Sequence, residues 1–273
     1  MTDELLESIE DGVAVLTLNR PERKNALNPS LMRALAEAVA RVAALSEVGC
    51  VVLTGSGDAF CAGGDIKEHG QAERDRSAAV EREKSGGEKA ERRFDIEHRM
   101  DWMRRCMEAP RILHDMPKPA IAMINGACAG AGMSLAAACD LRFAARSARF
   151  SLAFTKVGLS GDYGGSWFWT RILGTARARE LYLLSEKIEA DQALAMGLVN
   201  RLHPDEELRA ATMEVARRLA NGPRAAYRYA KANLNAAEDG TLESVFDLEV
   251  THGALAGVAL SNAMKSAKAR KPG

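Results

Sequence analysis

The sequence predicts an α/β protein, with a parallel sheet built early in the chain and helices gathered after about residue 165. Three stretches carry this expectation. GVAVLTLNRP (12–21) alternates apolar and polar residues and stops at a proline, as a strand does. NPSLMRALAEAVARVAAL (28–45) then places apolar residues at helical spacing, with Pro29 in the first turn, where a helix tolerates it. CVVLTG (50–55) is a short β-rich apolar run bounded by glycine, the pattern of a buried strand. Strand, helix and strand in that order imply a parallel βαβ unit with a right-handed crossover.

The theme returns at PAIAMING (119–126), a strand leading into a small-residue turn and the helical ACAGAGMSLAAACD. LRFAA (141–145) and ARFSL (148–152) predict two more short strands. After them come RARELYLLS, ADQALAMG, EELRAATMEVARRLANG and PRAAYRYAKANLNAAE, all with helical periodicity. Residues 67–108 differ: both charge signs are dense, which predicts a solvated helical insertion broken at Ser85-Gly86-Gly87. The functional alternative is a lid over a pocket, with His98, Trp102 and Met103 facing it. The organisation expected is a core over 1–200 carrying the insertion at 67–108, followed by a helical C-terminal region over 201–273.

Composition narrows the function classes. Of 273 residues 47% are hydrophobic, enough for a large core and too many for a disordered chain. Basic and acidic residues number 37 each, so no global charge steers the chain to nucleic acid or an anionic membrane. The N-terminus MTDELLESIEDG is acidic and has no apolar run, unlike a secretory signal. No apolar stretch is long enough to span a bilayer. The cysteines are Cys50, Cys61, Cys106, Cys128 and Cys139; their odd number and the lack of a CxxC pair or a Cys/His cluster argue against a disulfide framework or a zinc site. The expectation is a reduced, cytoplasmic protein with no metal. GxxxxGK[ST], a GxGxxG after the first strand and GxSxG are all absent, which removes the phosphate loop, the dinucleotide site and the serine-hydrolase elbow.

Three glycine-rich stretches remain: GSGDAFCAGGD (55–65), NGACAGAG (125–132) and GLSGDYGG (158–165). Small residues after strands leave backbone N–H groups exposed and let a ligand approach closely. Two such junctions can aim two N–H groups at one oxygen, the arrangement that stabilises an enolate or a tetrahedral oxyanion.

NRPERKNAL (19–27), AFCAGGDIKE (59–68), KPAIAMINGACAGAGMSLAAACDLRFA (118–144) and ALAMGLVNRL (193–202) together resemble the enoyl-CoA hydratase/isomerase family, the crotonase superfamily, over roughly residues 10–235. The resemblance implies a crotonase fold of repeated ββα units, a helical C-terminal trimerisation region, trimers that pair into hexamers, and an acyl-CoA thioester substrate. It implies no cofactor, since coenzyme A arrives as part of the substrate. Carried over by position, it places the thioester oxygen between the N–H groups of Ala62 and Ala131. It places the coenzyme A moiety near Arg23, Lys24, Ala26, Asp65 and Ile66, with Lys268 reaching for a phosphate from the C-terminal helix.

The chain departs from the hydratase pattern at two positions. Where hydratases carry glutamates, three residues after the Ala131 position and twenty further on, this chain has Ser134 and Phe154. Adding water across a double bond needs a base for the water and an acid for carbon, and neither side chain titrates near neutrality. A carboxylate does occur at Asp162, 31 residues after Ala131, in a GxxxDxGG pattern similar to that of isomerase members of the family. One carboxylate suffices to carry a proton between C2 and C4. Phe154, Tyr163, Trp167 and Phe168 are expected to surround it and to raise its pKa by desolvation. The sequence therefore points first to an enoyl-CoA isomerase with Asp162 as acid/base. A hydratase-like lyase using other groups, or a non-catalytic acyl-CoA-binding protein, are the alternatives.

Overall fold

In the computed structural model, residues 4–65 and 96–269 are described, side chains at 98, 99 and 267–269 excepted. The break at 85–87, Ile66 and most of the expected insertion lie outside the described residues, as do the side chains of His98 and Lys268.

The chain lays down two sheets. The first has six strands: β1 (Leu5–Glu10), β2 (Val13–Leu18), β3 (Cys50–Gly55), β5 (Ala120–Ile124), β7 (Leu141–Ala145) and β10 (Arg201–His203), in that spatial order. The second has four: β4 (Ala59–Cys61), β6 (Ala127–Ala129), β8 (Arg149–Ser151) and β9 (Ile188–Glu189). Each pair β3–β4, β5–β6 and β7–β8 contributes one strand to each sheet. This is the ββα repeat that the family resemblance implies.

The helices are α1 (Pro29–Ala44), α2 (Ile96–Cys106), α3 (Glu108–Asp115), α4 (Ala131–Ala137), α5 (Gly165–Leu173), α6 (Thr175–Leu184), α7 (Ala190–Ala195), α8 (Leu208–Ala220), α9 (Arg224–Ala237) and α10 (Leu242–Ala269). The entry to α1 shows how sequence sets a boundary. Asn28 has extended backbone and its side chain accepts a bond from Leu31 N at 2.8 Å, while Pro29 fills the first turn.

Alternation along the strands divides the core. Val13, Val15, Cys50 and Val52 face α8, against Leu208, Met213, Val215 and Ala216. Ala14, Leu16, Leu18, Val51 and Leu53 face the opposite side, where α1, α4 and the second sheet close the main core. The period of two read in GVAVLTL is thus the sorting of side chains between two apolar layers.

Four elements differ from the expectation. β1 is a strand where the sequence shows only an acidic N-terminus. It is an edge strand, antiparallel to β2, and buries Leu5 alone, so it lacks a clean alternation. β4 and β6 lie inside stretches that read as glycine-rich turns, being three residues each, too short for a period. β10 pairs with β7, so the main sheet extends just past residue 200 and the helical tail begins at Leu208.

Candidate active site

β4, β6 and β8 are parallel neighbours, with Ala59 opposite Ala127 and Ala129 opposite Ser151. Their carboxyl ends therefore release three segments from one edge: 62–65, 130–134 and 152–165. Ligands of open parallel sheets bind at this end.

The first segment is fixed by residues 20–27. Asn25 is fully buried; its Nδ2 donates to Ser56 O (2.9 Å) and Ala59 O (2.7 Å), and its Oδ1 accepts from Arg20 N (2.9 Å). Residues 24–27 then pair with 62–65: Ala62 N donates to Lys24 O (2.9 Å), Leu27 N to Gly63 O (2.7 Å) and Asp65 N to Leu27 O (2.9 Å).

This corrects the expected donor. The Ala62 N–H is already spent on Lys24. Two residues along, the Gly64 N–H has no acceptor among the described residues, and Gly64 is exposed with open space around its Cα. Asp65 is also reassigned. Its carboxylate is buried and accepts from Arg20 Nη1 at 3.1 Å, so it anchors the segment rather than facing a ligand. Arg23 and Lys24 are exposed at the rim, and Ala26 lends its carbonyl to Arg20 Nη1 (2.6 Å).

The second segment carries Ala131 as the first residue of α4, where an amide has no partner inside the helix. It has no acceptor among the described residues. Gly63 explains how the two segments come together. Its φ is +96°, and a Cβ there would lie 3.1 Å from Ala129 O and 3.5 Å from Ala131 N. A side chain at position 63 would be both strained and in the way.

The third segment holds Asp162. The backbone is left-handed at Gly161, Tyr163 and Gly164. For Tyr163, with φ +54°, that conformation costs about 1–3 kcal/mol. It is held by burial of the ring, 3% exposed. The Oδ1 of Asp162 is buried. Its charge acts on Tyr163, Tyr182 and Cys61, adding to burial in raising all three; Cys61 is pushed up to about 12. The neighbouring Gly161 lies against the Tyr182 ring, 2.9 Å from a ring carbon to a Cβ built there, so the Asp162 loop packs on α6.

Ser134 is fully buried on α4. Gly165, the first residue of α5, lies against it: a Cβ on Gly165 would sit 2.2 Å from Ser134 Oγ and 2.6 Å from Tyr182 Oη. Phe154 is buried and stacks on Tyr182, centroids 6.1 Å apart and planes within 8°. Tyr182 is thus a candidate site residue that the sequence did not disclose. It lies on α6 in an ordinary helical pattern, and only tertiary packing brings it to Asp162.

Trp167 and Phe168 have other company. Trp167 lies under the Arg171 guanidinium (3.8 Å to the ring centroid) and edge-on to His114 (5.2 Å). With Phe168, Gly164 and residues of α3 and α9 they line a groove of about 550 Å³, which neither Asp162 nor Ser134 lines. The aromatic wall beside Asp162 is made by Tyr163 and Tyr182, with Phe154 behind Tyr182. All five cysteines are free and buried; burial pushes Cys50 and Cys139 to about 12 and Cys106 to about 11. Such thiols are inert as nucleophiles.

Comparison with known proteins gives the family. The family model described as enoyl-CoA hydratase/isomerase matches residues 8–256. A relative from Escherichia coli (strain K12), 1,2-epoxyphenylacetyl-CoA isomerase, is 37% identical over 94% of this chain and 91% of its own. A probable enoyl-CoA hydratase from Rhodobacter capsulatus is 39% identical over 88% and 84%. Among solved structures, a putative enoyl-CoA hydratase/isomerase from Mycobacterium abscessus superposes with a TM-score of 0.83 at 31% identity, over 98% of this chain and 97% of that one. A putative enoyl-CoA hydratase from Streptomyces coelicolor A3(2) also gives 0.83, at 32% identity over 98% and 92%. The chain belongs to the enoyl-CoA hydratase/isomerase family and is an acyl-CoA enzyme of the crotonase fold.

Proposed function

We propose that this enzyme is an enoyl-CoA isomerase in which Asp162 moves one proton along the acyl chain. The observation that carries the proposal is one carboxylate with a buried Oδ1 on a loop packed against Tyr182; Ser134 and Phe154 stand where the family resemblance implies the two glutamates of hydratases.

The thioester acidifies the C2 protons of a 3-enoyl group. The Asp162 carboxylate takes one, and the electron pair spreads into a dienolate. The Gly64 and Ala131 N–H groups, each without an acceptor among the described residues, hold the thioester oxygen as its charge grows. Asp162, now protonated, returns the proton at C4 and leaves the 2-enoyl product. No cofactor enters this scheme; coenzyme A comes with the substrate, its phosphates near Arg23 and Lys24, and Lys268 a further candidate. The name of the Escherichia coli relative supports isomerisation. That of the Rhodobacter relative keeps hydration as the second reading, for which Asp162 would have to serve both water and carbon. Among the described residues no helix is long and apolar enough to cross a membrane, and five buried free thiols suit the cytoplasm.

The test is Asp162→Asn, which keeps the shape and removes the base. We expect kcat for 3-enoyl-CoA isomerisation to fall about 10³-fold, with acyl-CoA affinity within a few-fold of native. Undiminished turnover would remove Asp162 from the mechanism.

A further inference from the structure

Gly64, the oxyanion donor of that scheme, is held in place by a side chain the scheme does not use. Leu27 takes both neighbours of Gly64: its N–H donates to Gly63 O and its carbonyl accepts from Asp65 N. The two segments meet as a parallel bridge of Leu27 with Gly64, so Gly64 turns its own N–H away from residues 24–27. Next to this bridge lies the Arg20 guanidinium, 5% exposed. One nitrogen, Nη1, donates to both sides of the junction: to Ala26 O at 2.6 Å and to Asp65 Oδ2 at 3.1 Å. Arg20 thus ties the residue before Leu27 to the residue after Gly64. Glu4 steadies the guanidinium from its other side. The Glu4 Oε1 is 3.2 Å from Arg20 Nε and also accepts from Asn28 Nδ2 at 2.9 Å. Arg23 lies 3.9 Å from the same Asp65 oxygen, beyond hydrogen-bond length, and is exposed.

We propose that Arg20 is a positioning residue for the reaction: acting through Asp65 and the Ala26 carbonyl, it fixes the direction of the Gly64 N–H, and so contributes to the transition state more than to substrate affinity. The proposal rests on the reading that the Gly64 N–H holds the thioester oxygen. The charge that this donor meets grows as the enolate forms, so an error in its direction costs most at that point. Small displacements of a positioned group are enough to lower the rate. Affinity drawn from the rest of the thioester is affected little.

Infrared spectroscopy of a bound, unreactive thioester tests this. Hexanoyl-CoA carrying carbon-13 at its carbonyl is bound to the enzyme, and the carbonyl stretch is found by difference against the unlabelled compound. In the native complex two aligned N–H donors should move the band below its position in free hexanoyl-CoA. Arg20→Lys keeps the charge but lacks the rigid fork that joins Ala26 O to Asp65. It should return the band toward the free value, lower kcat for 3-enoyl-CoA about tenfold and leave KM within about threefold. Asp65→Asn keeps the shape and an acceptor oxygen but weakens the bond to Arg20. It should move the band and kcat the same way by less, and it carries the test if Arg20→Lys folds poorly. A merely structural role would lower the thermal midpoint and the active fraction, with the band and the kcat per folded enzyme unchanged. That outcome in both variants would overturn the proposal and leave the oxyanion reading standing. A native band at the free value would remove the oxyanion reading and the proposal with it. Asp162→Asn should keep the native band, so a failure of the proton-transfer scheme alone would not alter this result.

Discussion

Asp162 sits where the chain can hold it only by bending the wrong way. Gly161 and Gly164 reach left-handed backbone freely, but Tyr163 does so against its own Cβ, and burial of its ring offsets the strain. The following Gly165 is required for a different reason: nothing larger fits between Ser134 and Tyr182. Gly165→Ala should therefore cost about 1–3 kcal/mol by overpacking and should lower activity in parallel, since relief comes only by displacing the two hydroxyls. Thermal unfolding alongside steady-state kinetics checks this; a variant with native stability would mean that the contact yields easily. At this scale the sequence spoke through its family resemblance, which singled out Asp162 as a candidate carboxylate and Ser134 and Phe154 as standing where hydratases are implied to carry glutamates. Tyr182 was not legible, because nothing in RARELYLLS distinguishes a buried site tyrosine from a packing one. Nor was the choice of Gly64 over Ala62, which depends on a carbonyl at Lys24 that consumes the Ala62 N–H.

Between elements, the site depends on three-residue strands. β4 and β6 are too short to announce themselves by alternation, while β8 was legible in ARFSL; the parallel register of the three brings the candidate site segments to one edge. The long strands β2 and β3 and helix α1 were legible, because each buries a full apolar face. Among the polar contacts that join the C-terminal helices to this core, one is buried on a charged side chain. Lys231 on α9 is buried and its Nζ donates to Leu113 O (2.8 Å), Lys118 O (3.2 Å) and Asp140 Oδ2 (2.8 Å). Asp140 also accepts from Ala120 N (2.7 Å), at the start of β5. Lys231→Met keeps the length and removes all three bonds. It should destabilise the fold by about 3 kcal/mol and speed amide exchange in α9 before the sheet. Uniform exchange protection in the variant would show that α9 is held by its apolar contacts instead.

The whole molecule leaves one surface unexplained by a single chain. Among the described residues, α10 makes its main contacts with α9, yet it exposes Phe246, Val250, Leu255, Val258, Leu260 and Met264. Val250 is 76% exposed, an unstable place for a valine in water. The family resemblance implies trimers, in which a second and third copy would cover these apolar residues. Sedimentation equilibrium of the native protein should give a mass of three or six chains. Val250→Glu with Val258→Glu should shift it toward one. A native monomer at micromolar concentration would refute the assembly.

The central claim is that a single carboxylate, with two backbone N–H groups opposite, makes this an enolate-forming enzyme. Its most direct test is proton exchange: the enzyme is incubated with a saturated and a 3-enoyl-CoA thioester in D2O, and deuterium at C2 and C4 is followed by NMR. The account predicts deuterium at both carbons of the enoyl substrate, with double-bond migration, and loss of both in Asp162→Asn. Tight binding with no exchange at either carbon, or exchange that persists in Asp162→Asn, would contradict it.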